Sequence, residues 1–343
     1  MNFKKVISVL LIMVMLFVFM SLSFATASES GTTVINFSTT PDGNKFIYSN
    51  NPEYIYGTSG YTISQSLDTS SNYDAEFYHI NSSGTTLRFG VLIVNNNTGS
   101  ASVRVFNNNS AWNYSGNVPN ATASMVYNYV NASSGYTDYS IAGKGSKFIC
   151  FTSAASGYHA AGKVLFKALN SNMYCKVVYI VAGSNETTNQ TNAQNAPETT
   201  KLANPTSTNC YPYDARVSTV SGTSGTKFYL SYVSGSAPSN PNEYLAPISY
   251  PNPSRSLLQG NYGVTYNLTL TGASGKMLTI KPDWNSCTKD QCYVFHNGIS
   301  WNTVTIPYNS TGYTFTLPST GGNVNIKFIL PGGNVGNVLF KIS

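Results

Sequence analysis

Apolar and polar residues alternate in short runs along most of the chain beyond residue 27. This period of two predicts β strands, because successive side chains of a strand point to opposite faces. The clearest runs are 86–94, 101–106, 175–181, 227–233 and 323–330. Turn-forming residues at 95–100, 271–275 and 297–298 predict three hairpins. Asn297-Gly298 is the pair that two-residue type I′ turns prefer.

Helical patterns are scarce. Residues 121–130 fit a short helix, but they fit a strand equally well. Tyr, Phe, Val and Thr are abundant, and β-branched and aromatic side chains suit a pleated surface. The predicted fold class is therefore all-β, with mostly antiparallel strands.

One polar segment, residues 184–205, interrupts the strand pattern. It has no aromatic residue, and Leu202 is its one large aliphatic side chain. Such a composition is typical of a flexible linker that does not pack. We therefore predict two antiparallel β-sandwich domains, residues 28–183 and 206–343, joined by this linker. The alternative is one larger sandwich with 184–205 as a long surface loop.

Residues 1–27 have the pattern of a secretory signal peptide. Lys4 and Lys5 precede an almost wholly apolar stretch, which ends at the small residues Ala25 and Ala27. The apolar stretch is close to the length of a membrane-spanning helix, so an uncleaved anchor is the competing interpretation. With the signal removed, we expect a secreted, extracellular or cell-surface protein that is not embedded in a membrane.

Charge is low for a soluble protein. Charged residues make up 9% of the chain, against roughly 25% in ordinary globular domains. The chain has 39 Asn, so its polarity comes largely from uncharged groups. This composition disfavours a nucleic-acid partner, a cytosolic enzyme and a protein with several membrane spans. No cofactor motif is recognisable.

Five cysteines are consistent with export. Cys150 and Cys175 lie in strand candidates that we expect to be neighbours, so they could form one disulfide. Cys287 and Cys292 flank a four-residue loop that a second disulfide could close. Cys210 would then remain as a free thiol or pair with another molecule. The sequence leaves other pairings open, and zinc binding by Cys287 and Cys292 is a further alternative.

The three tryptophans, Trp112, Trp284 and Trp301, are each followed by Asn. An exposed indole ring can cover the apolar face of a sugar while neighbouring amides bind its hydroxyls. These residues are therefore candidate ligand-binding aromatics. Packing of each ring in a sandwich core is the alternative.

Candidates for acid–base chemistry are few. In an extended strand, Asp74 and Glu76 share one face and His79 points to the other. We interpret Asp74 and Glu76 as a solvated strand face, and we assign no catalytic residue and no metal site.

Several phrases resemble those of a family of exported proteins. They are 76–81 (EFYHIN), 87–95 (LRFGVLIVN), 260–266 (GNYGVTY) and 328–333 (FILPGG). They are similar to phrases of uncharacterised secreted β-rich proteins of Gram-positive bacteria, many of which carry a copper-amine-oxidase-N-like stalk domain. We find no stalk-like segment in this sequence. The resemblance implies export and β architecture, and the family has no known activity.

Together these features predict an exported, non-enzymatic cell-surface or extracellular-matrix protein with a structural or adhesive role. Expected partners are cell-wall or environmental polysaccharide, further copies of the chain or other surface proteins. Two alternatives remain: a carbohydrate-binding protein that uses Trp and Tyr faces, and an extracellular hydrolase of unrecognised type.

Overall fold

The computed structural model describes residues 31–40, 42–200, 208–231, 240–248, 257–284 and 287–343. The predicted signal peptide, 1–27, lies outside these ranges. Within them, no helix has the length and apolar character needed to cross a membrane. The described chain is predominantly β, with 20 strands and two α helices.

Two sheets are built mainly from the first half of the chain. The larger sheet has the strand order β11-β1-β4-β9-β6-β7, with β2 paired to the end of β4, and the smaller has the order β3-β10-β5-β8. The bounds are β1 Lys45–Ser49, β2 Tyr54–Ile55, β3 Ser59–Leu67, β4 Tyr73–Asn81, β5 Leu87–Asn95, β6 Ala101–Tyr114, β7 Tyr136–Ile141, β8 Ser146–Ala154, β9 His159–Ala168, β10 Met173–Val181 and β11 Thr208–Tyr211.

Two further sheets come from the second half. Their strand orders are β12-β14-β19-β16-β17 and β13-β20-β15-β18. The bounds are β12 Ala215–Ser221, β13 Lys227–Leu230, β14 Thr265–Thr271, β15 Met277–Lys281, β16 Gln291–His296, β17 Trp301–Ile306, β18 Tyr313–Thr316, β19 Val324–Ile329 and β20 Val338–Ile342. Most neighbouring strands are antiparallel, but β1–β4, β2–β4 and β12–β14 are parallel.

Each pair of sheets shares one apolar core. One cluster joins inward side chains of the first two sheets, such as Phe77 and Phe89, and the other joins those of the last two, such as Phe228 and Phe328. The chain does not divide between them at one point, because Ile35 and Phe37 pack in the second cluster and Cys210 packs in the first.

Helix α1, Val118–Val130, lies between β6 and β7 in the chain and packs against both halves of the protein. The sequence supports its start, because the Asn117 side chain accepts a hydrogen bond from the Asn120 amide and Pro119 lies in the first turn. Met125 and Val126 pack between Tyr78 of the first half and Val294 of the second. Residues 121–130, which fitted a helix or a strand, are therefore helical.

Helix α2, Glu186–Gln194, lies within the segment predicted as an unpacked linker. That prediction is wrong for these residues, since Asn189 and Ala193 are fully buried. The Asn189 amide donates to and accepts from the backbone of Gly183, and Glu186 pairs with Arg88. Hydrogen bonds of an amide side chain thus fix this segment in place, where apolar contacts would usually do so. The domain boundaries themselves stay a prediction.

Two of the three predicted hairpins are wrong. β5 and β6 belong to different sheets, as do β14 and β15, so 95–100 and 271–275 are crossings between sheets. The Asn95 amide donates to the carbonyls of Gly99, Ile141 and Ala142, which satisfies the backbone of the first crossing. Turn-forming residues serve a crossing as well as a hairpin, because both need local partners for the backbone.

The third hairpin, β16–β17, is confirmed, although its loop is longer than predicted. His296 pairs with Trp301, so four residues form the loop instead of two. Gly298 has a positive φ of 96° and Asn297 has no positive φ. The loop is therefore not the two-residue type I′ turn, which needs positive φ at both positions.

Candidate functional site

The most concentrated group of buried charges lies on β4 and β9, near the middle of the seven-stranded sheet. Glu76 is directly opposite Lys163 in the strand register, and Asp74 is opposite Leu165. The Lys163 Nζ atom lies 2.9 Å from Asp74 Oδ2 and 2.9 Å from Glu76 Oε2. It also donates to the carbonyl oxygen of Gly263, at 3.2 Å. We call Asp74, Glu76 and Lys163 the buried charge cluster.

The expectation of a solvated face for Asp74 and Glu76 is wrong. Their relative exposures are 3% and 1%, and that of Lys163 is 1%. The outer face of this sheet is covered by the second half of the chain, where Leu258 and Val264 pack on Phe46 of β1. A strand face that would be exposed to solvent in an isolated sheet is therefore buried.

Aromatic rings and one glycine enclose the buried charge cluster. The Nζ atom lies 4.7 Å from the ring centre of Phe46 and 5.0 Å from that of Tyr129 on α1. Gly263, with φ of +74°, closes the site so tightly that an added Cβ would overlap Oε2 of Glu76. The charged groups are therefore shielded from solvent, and their partners are one another, the Gly263 carbonyl and the Tyr129 hydroxyl.

Burial and neighbouring charges set the protonation of the cluster. Burial raises the pKa of Asp74 to about 7, against the attraction of Lys163. Burial disfavours the charged form of Lys163, but Asp74 and Glu76 together raise its pKa above the usual value. Two carboxylates and one ammonium would leave a net negative charge in an apolar site. The negative charges of Asp214 and Glu76 also raise the pKa of Asp74. Near neutral pH the Asp74 carboxyl group is therefore present in both its charged and its protonated form, and the protonated form makes the cluster neutral.

His79 points to the opposite face of β4, as predicted, and it lies inside the first core. Its Nδ1 donates to the Pro52 carbonyl at 2.8 Å, and Nε2 accepts from the Ser49 hydroxyl at 3.0 Å. Its ring stacks on Phe89. Burial lowers the pKa of His79 to about 4. It is therefore a neutral packing residue, with no exposed nitrogen for proton transfer.

The low pKa of His79 predicts acid sensitivity. The folded value is about 4 and the ordinary value is 6.5, so as pH falls below 6.5 the unfolded chain binds a proton that the folded chain does not. We expect His79 to lower the free energy of unfolding by about 3 kcal/mol between pH 7 and pH 4. Urea unfolding of the wild type and His79→Gln at several pH values measures this. A difference between the two that stays constant over that range contradicts it.

The three candidate tryptophans come from different segments of the fold. Trp112 lies in β6 and is 37% exposed. Trp284 packs against the second core, and its indole nitrogen donates to the Ser310 carbonyl. Trp301 lies in β17, contacts the ring of His296 and packs at the junction between the halves. The core-packing alternative therefore accounts for much of the surface of Trp284 and Trp301.

A tyrosine-lined pocket, which the sequence did not indicate, lies beside β2. It has a volume of about 590 Å³, and Tyr54, Tyr56 and Tyr179 are among its lining residues. Tyr54 is 49% exposed and Tyr56 is 74% exposed. The Thr199 hydroxyl donates to the Tyr179 hydroxyl at 2.9 Å. We call these residues the tyrosine pocket. The segment after α2, predicted to be unstructured, supplies part of it.

All five cysteines are free thiols in the structure, so neither predicted disulfide is present. Cys150 and Cys175 are not on neighbouring strands, since β5 lies between β8 and β10. Two strand spacings amount to roughly 10 Å, too far for a disulfide. Cys292 is buried and accepts from the Thr305 hydroxyl, while Cys287 is partly exposed. Cys210 is buried.

Among the described residues, no three His, Cys, Asp or Glu side chains are grouped as a metal site would require. The sequence missed Lys163, Gly263 and the tyrosine pocket. Lys163 had a usable signal, because it interrupts the apolar run Ala160-Ala-Gly-Lys-Val164. Gly263 had none, since its contact with Glu76 joins residues far apart in sequence.

Comparison of the chain with protein-family models gives no match, and comparison with curated proteins gives none either.

Proposed function

We propose that this protein is an exported, non-enzymatic cell-surface or extracellular-matrix protein with a structural or adhesive role. The observation that carries the proposal is the burial of Asp74, Glu76 and His79, the acid–base candidates of the sequence. A general acid or base must reach its substrate. These groups instead contact strands, a helix and one another. Low charge and the signal-peptide pattern at 1–27 support export.

We further propose that the two apolar cores belong to two β-sandwich domains connected through residues 184–205. Each core is made of side chains from its own pair of sheets, which supports this division. α1 and the buried charge cluster would then lie at the contact between the domains. In such an arrangement the hydrogen bond from the Thr122 hydroxyl to the Gly332 carbonyl, at 2.6 Å, would cross this contact.

Cell fractionation tests the proposal directly. An antibody against the chain, applied to intact cells with and without external protease, should detect a protease-sensitive surface or matrix form that begins near residue 28. Recovery from the cytoplasm with residues 1–27 attached would contradict export. Turnover of any polysaccharide by the purified protein would contradict the non-enzymatic role.

The second candidate function is carbohydrate binding, and the tyrosine pocket is the observation that favours it. Exposed aromatic rings beside hydroxyl groups are the chemistry that binds sugars, since ring faces cover apolar sugar faces. Tyr56 offers the most exposed ring of this pocket. The pocket, rather than the three tryptophans, is therefore the site to test.

Substitution of Tyr56 with Ala tests the pocket. If a glycan array identifies a ligand, we expect Tyr56→Ala to bind it about tenfold more weakly, because the ring's stacking energy is lost. Ile299→Ala is the matched control, since Ile299 is also 74% exposed but lies in the β16–β17 loop. The control should bind like the wild type. An array without hits, or equal binding by both variants, would exclude this pocket as a glycan site.

A further inference from the structure

The buried charge cluster places an amine within reach of a carboxyl group in a site that is shielded from solvent. The Lys163 Nζ atom is 2.9 Å from Asp74 Oδ2, and the Tyr129 hydroxyl interacts with the same carboxyl group. Glu76 Oε2 lies 2.9 Å from the same nitrogen. An amine, a carboxyl group and a second carboxyl group to move protons are the components of amide formation. Ordered proximity greatly accelerates such a reaction.

We propose that Lys163 and Asp74 condense spontaneously into an intramolecular amide that links β9 to β4, with Glu76 carrying the protons. The bond would form between Lys163 Nζ and Asp74 Cγ, and one water would leave. The inference does not depend on the proposed function. It assigns a covalent bond to residues that would otherwise interact only through their charges.

The step balances from the neutral form of the cluster. Lys163 passes one proton from its ammonium to the Glu76 carboxylate, and the free amine attacks Cγ of the protonated Asp74. The Cγ–OH bond of the tetrahedral intermediate breaks as Glu76 protonates the leaving hydroxyl, and Glu76 takes the remaining proton from nitrogen. The products are an amide, one water and protonated Glu76. No oxidant, metal or cofactor takes part in this step.

The environment favours condensation. Burial raises the pKa of Asp74 to about 7, so a substantial share of the carboxyl groups carries the proton that the attacked form needs. Phe46, Tyr129 and Gly263 enclose the site, so water is scarce for the reverse hydrolysis. The amide also removes two charges from an apolar surrounding, where an ion pair is costly to keep. Each of these factors shifts the equilibrium towards the bond.

The strand register selects Asp74 over Glu76 as the partner. Glu76 lies directly opposite Lys163, whereas Asp74 lies two residues away on the same face. Directly opposite Cβ atoms are about 5 Å apart and diagonal ones roughly 7 Å. The long Lys side chain with a short Asp spans the diagonal, but Lys joined to Glu across the shorter distance would have to buckle. Glu76 is therefore placed to transfer protons.

Mass spectrometry of the wild type tests the proposal. The protein, made without residues 1–27, is unfolded and reduced before its intact mass is measured. We expect a mass about 18 Da below that of the sequence, which is one water. Proteolysis should give one branched peptide that joins the segments of Lys163 and Asp74. An intact mass equal to that of the sequence overturns the proposal, and a branch at Glu76 overturns the assignment of Asp74.

The chain contains its own control. Lys45 and Asp68 also form an ion pair between side chains, but both are about one-third exposed. Hydrogen bonds from Lys45, Ser70 and Tyr73 outweigh the desolvation of Asp68 and hold its pKa well below the usual value. The peptides of Lys45 and Asp68 should stay separate. Loss of water at that pair would show that proximity alone is enough for an amide to form. It would contradict the role that we give to burial of the site.

Two variants test the role of Glu76 and the identity of the bond. Glu76→Gln keeps the shape of the side chain, and it should retain the full sequence mass. Loss of water to the wild-type extent would overturn proton transfer by Glu76. Asp74→Asn can release ammonia instead of water, so its cross-linked product should have the same mass as the cross-linked wild type. Circular dichroism of each variant shows whether it is folded, and the wild-type mass decides the proposal if neither folds.

Discussion

Lys163→Met should lower the free energy of unfolding by about 3–5 kcal/mol, the range for removal of one partner from a buried ion pair. Met matches the length of the aliphatic stem but leaves Asp74 and Glu76 buried without a cation. The direction of the effect is the same for the ion cluster and for the amide, because in either form Lys163 is the partner of the buried carboxyl groups. Denaturant unfolding of the variant and the wild type measures the loss.

The deficit of Lys163→Met should depend on pH. Burial raises the pKa of Asp74, and loss of the Lys163 charge, which lowers that pKa in the wild type, raises it further. The protonated form of Asp74 then supports folding at low pH, and this contribution is lost as pH rises through the folded pKa. The variant should therefore be further below the wild type at pH 8 than at pH 5. A pH-independent deficit would show that lost packing, and not unpaired charge, is the cause.

Two further variants serve as controls. Arg104→Met removes a cation from another cross-strand pair of the same sheet, Arg104 with Asp138, which is exposed. It should leave the midpoint of unfolding close to that of the wild type. Lys163→Met combined with Asp74→Asn and Glu76→Gln removes all the charges, and it should be more stable than Lys163→Met alone. Equal stability of these two variants would contradict the charge argument.

Gly263→Ala should lower the free energy of unfolding by about 3 kcal/mol. A positive φ costs a residue with a Cβ roughly 1–2 kcal/mol, and forcing an atom into a filled site costs about as much again. At Gly263 the new Cβ would overlap Oε2 of Glu76 and lie 2.8 Å from its Cδ and 3.0 Å from the Phe46 ring. The segment must therefore move away from the buried charge cluster.

Gly272→Ala is the matched control for Gly263→Ala. Gly272 has a similar φ, +69°, but no atom lies within 4 Å of its added Cβ. It should lose only about 1 kcal/mol, the cost of the backbone conformation. The difference between the two variants isolates the close approach of Gly263 to Glu76. Equal losses in chemical denaturation would show that this approach is not required for folding.

Local pattern predicted the strands well, because the alternation of burial along a strand is a property of adjacent residues. Runs 86–94 and 323–330 correspond to β5 and β19 within about a residue at each end. Pairing was less predictable. Asn95–Ser100 satisfies its backbone locally in a crossing as it would in a hairpin, so the sequence there does not reveal which sheet receives the next strand.

The candidate site was only half visible in the sequence. Asp74 and Glu76 were predicted to share a face, and they do, but Lys163 and Gly263 reach them from 87 and nearly 200 residues further along the chain. The disulfide prediction failed because the sequence does not show the order of strands in a sheet. Cys150 and Cys175 are close in sequence, but β5 lies between their two strands. Residues 186–194 lacked apolar side chains, yet Asn189 found backbone partners and packed.

The sequence by itself determined the β character of the chain, the position of most strands and the scarcity of charged groups. These follow from side-chain period and composition, which act over a few residues. Only the tertiary structure decided which faces of those strands are exposed to solvent. The second half and α1 cover the outer face of β4 and β9, and this converts an ordinary pair of strand carboxylates into an enclosed cluster with Lys163. Burial changes the pKa values and reactivity of such groups, and it arises from contacts that no local pattern records.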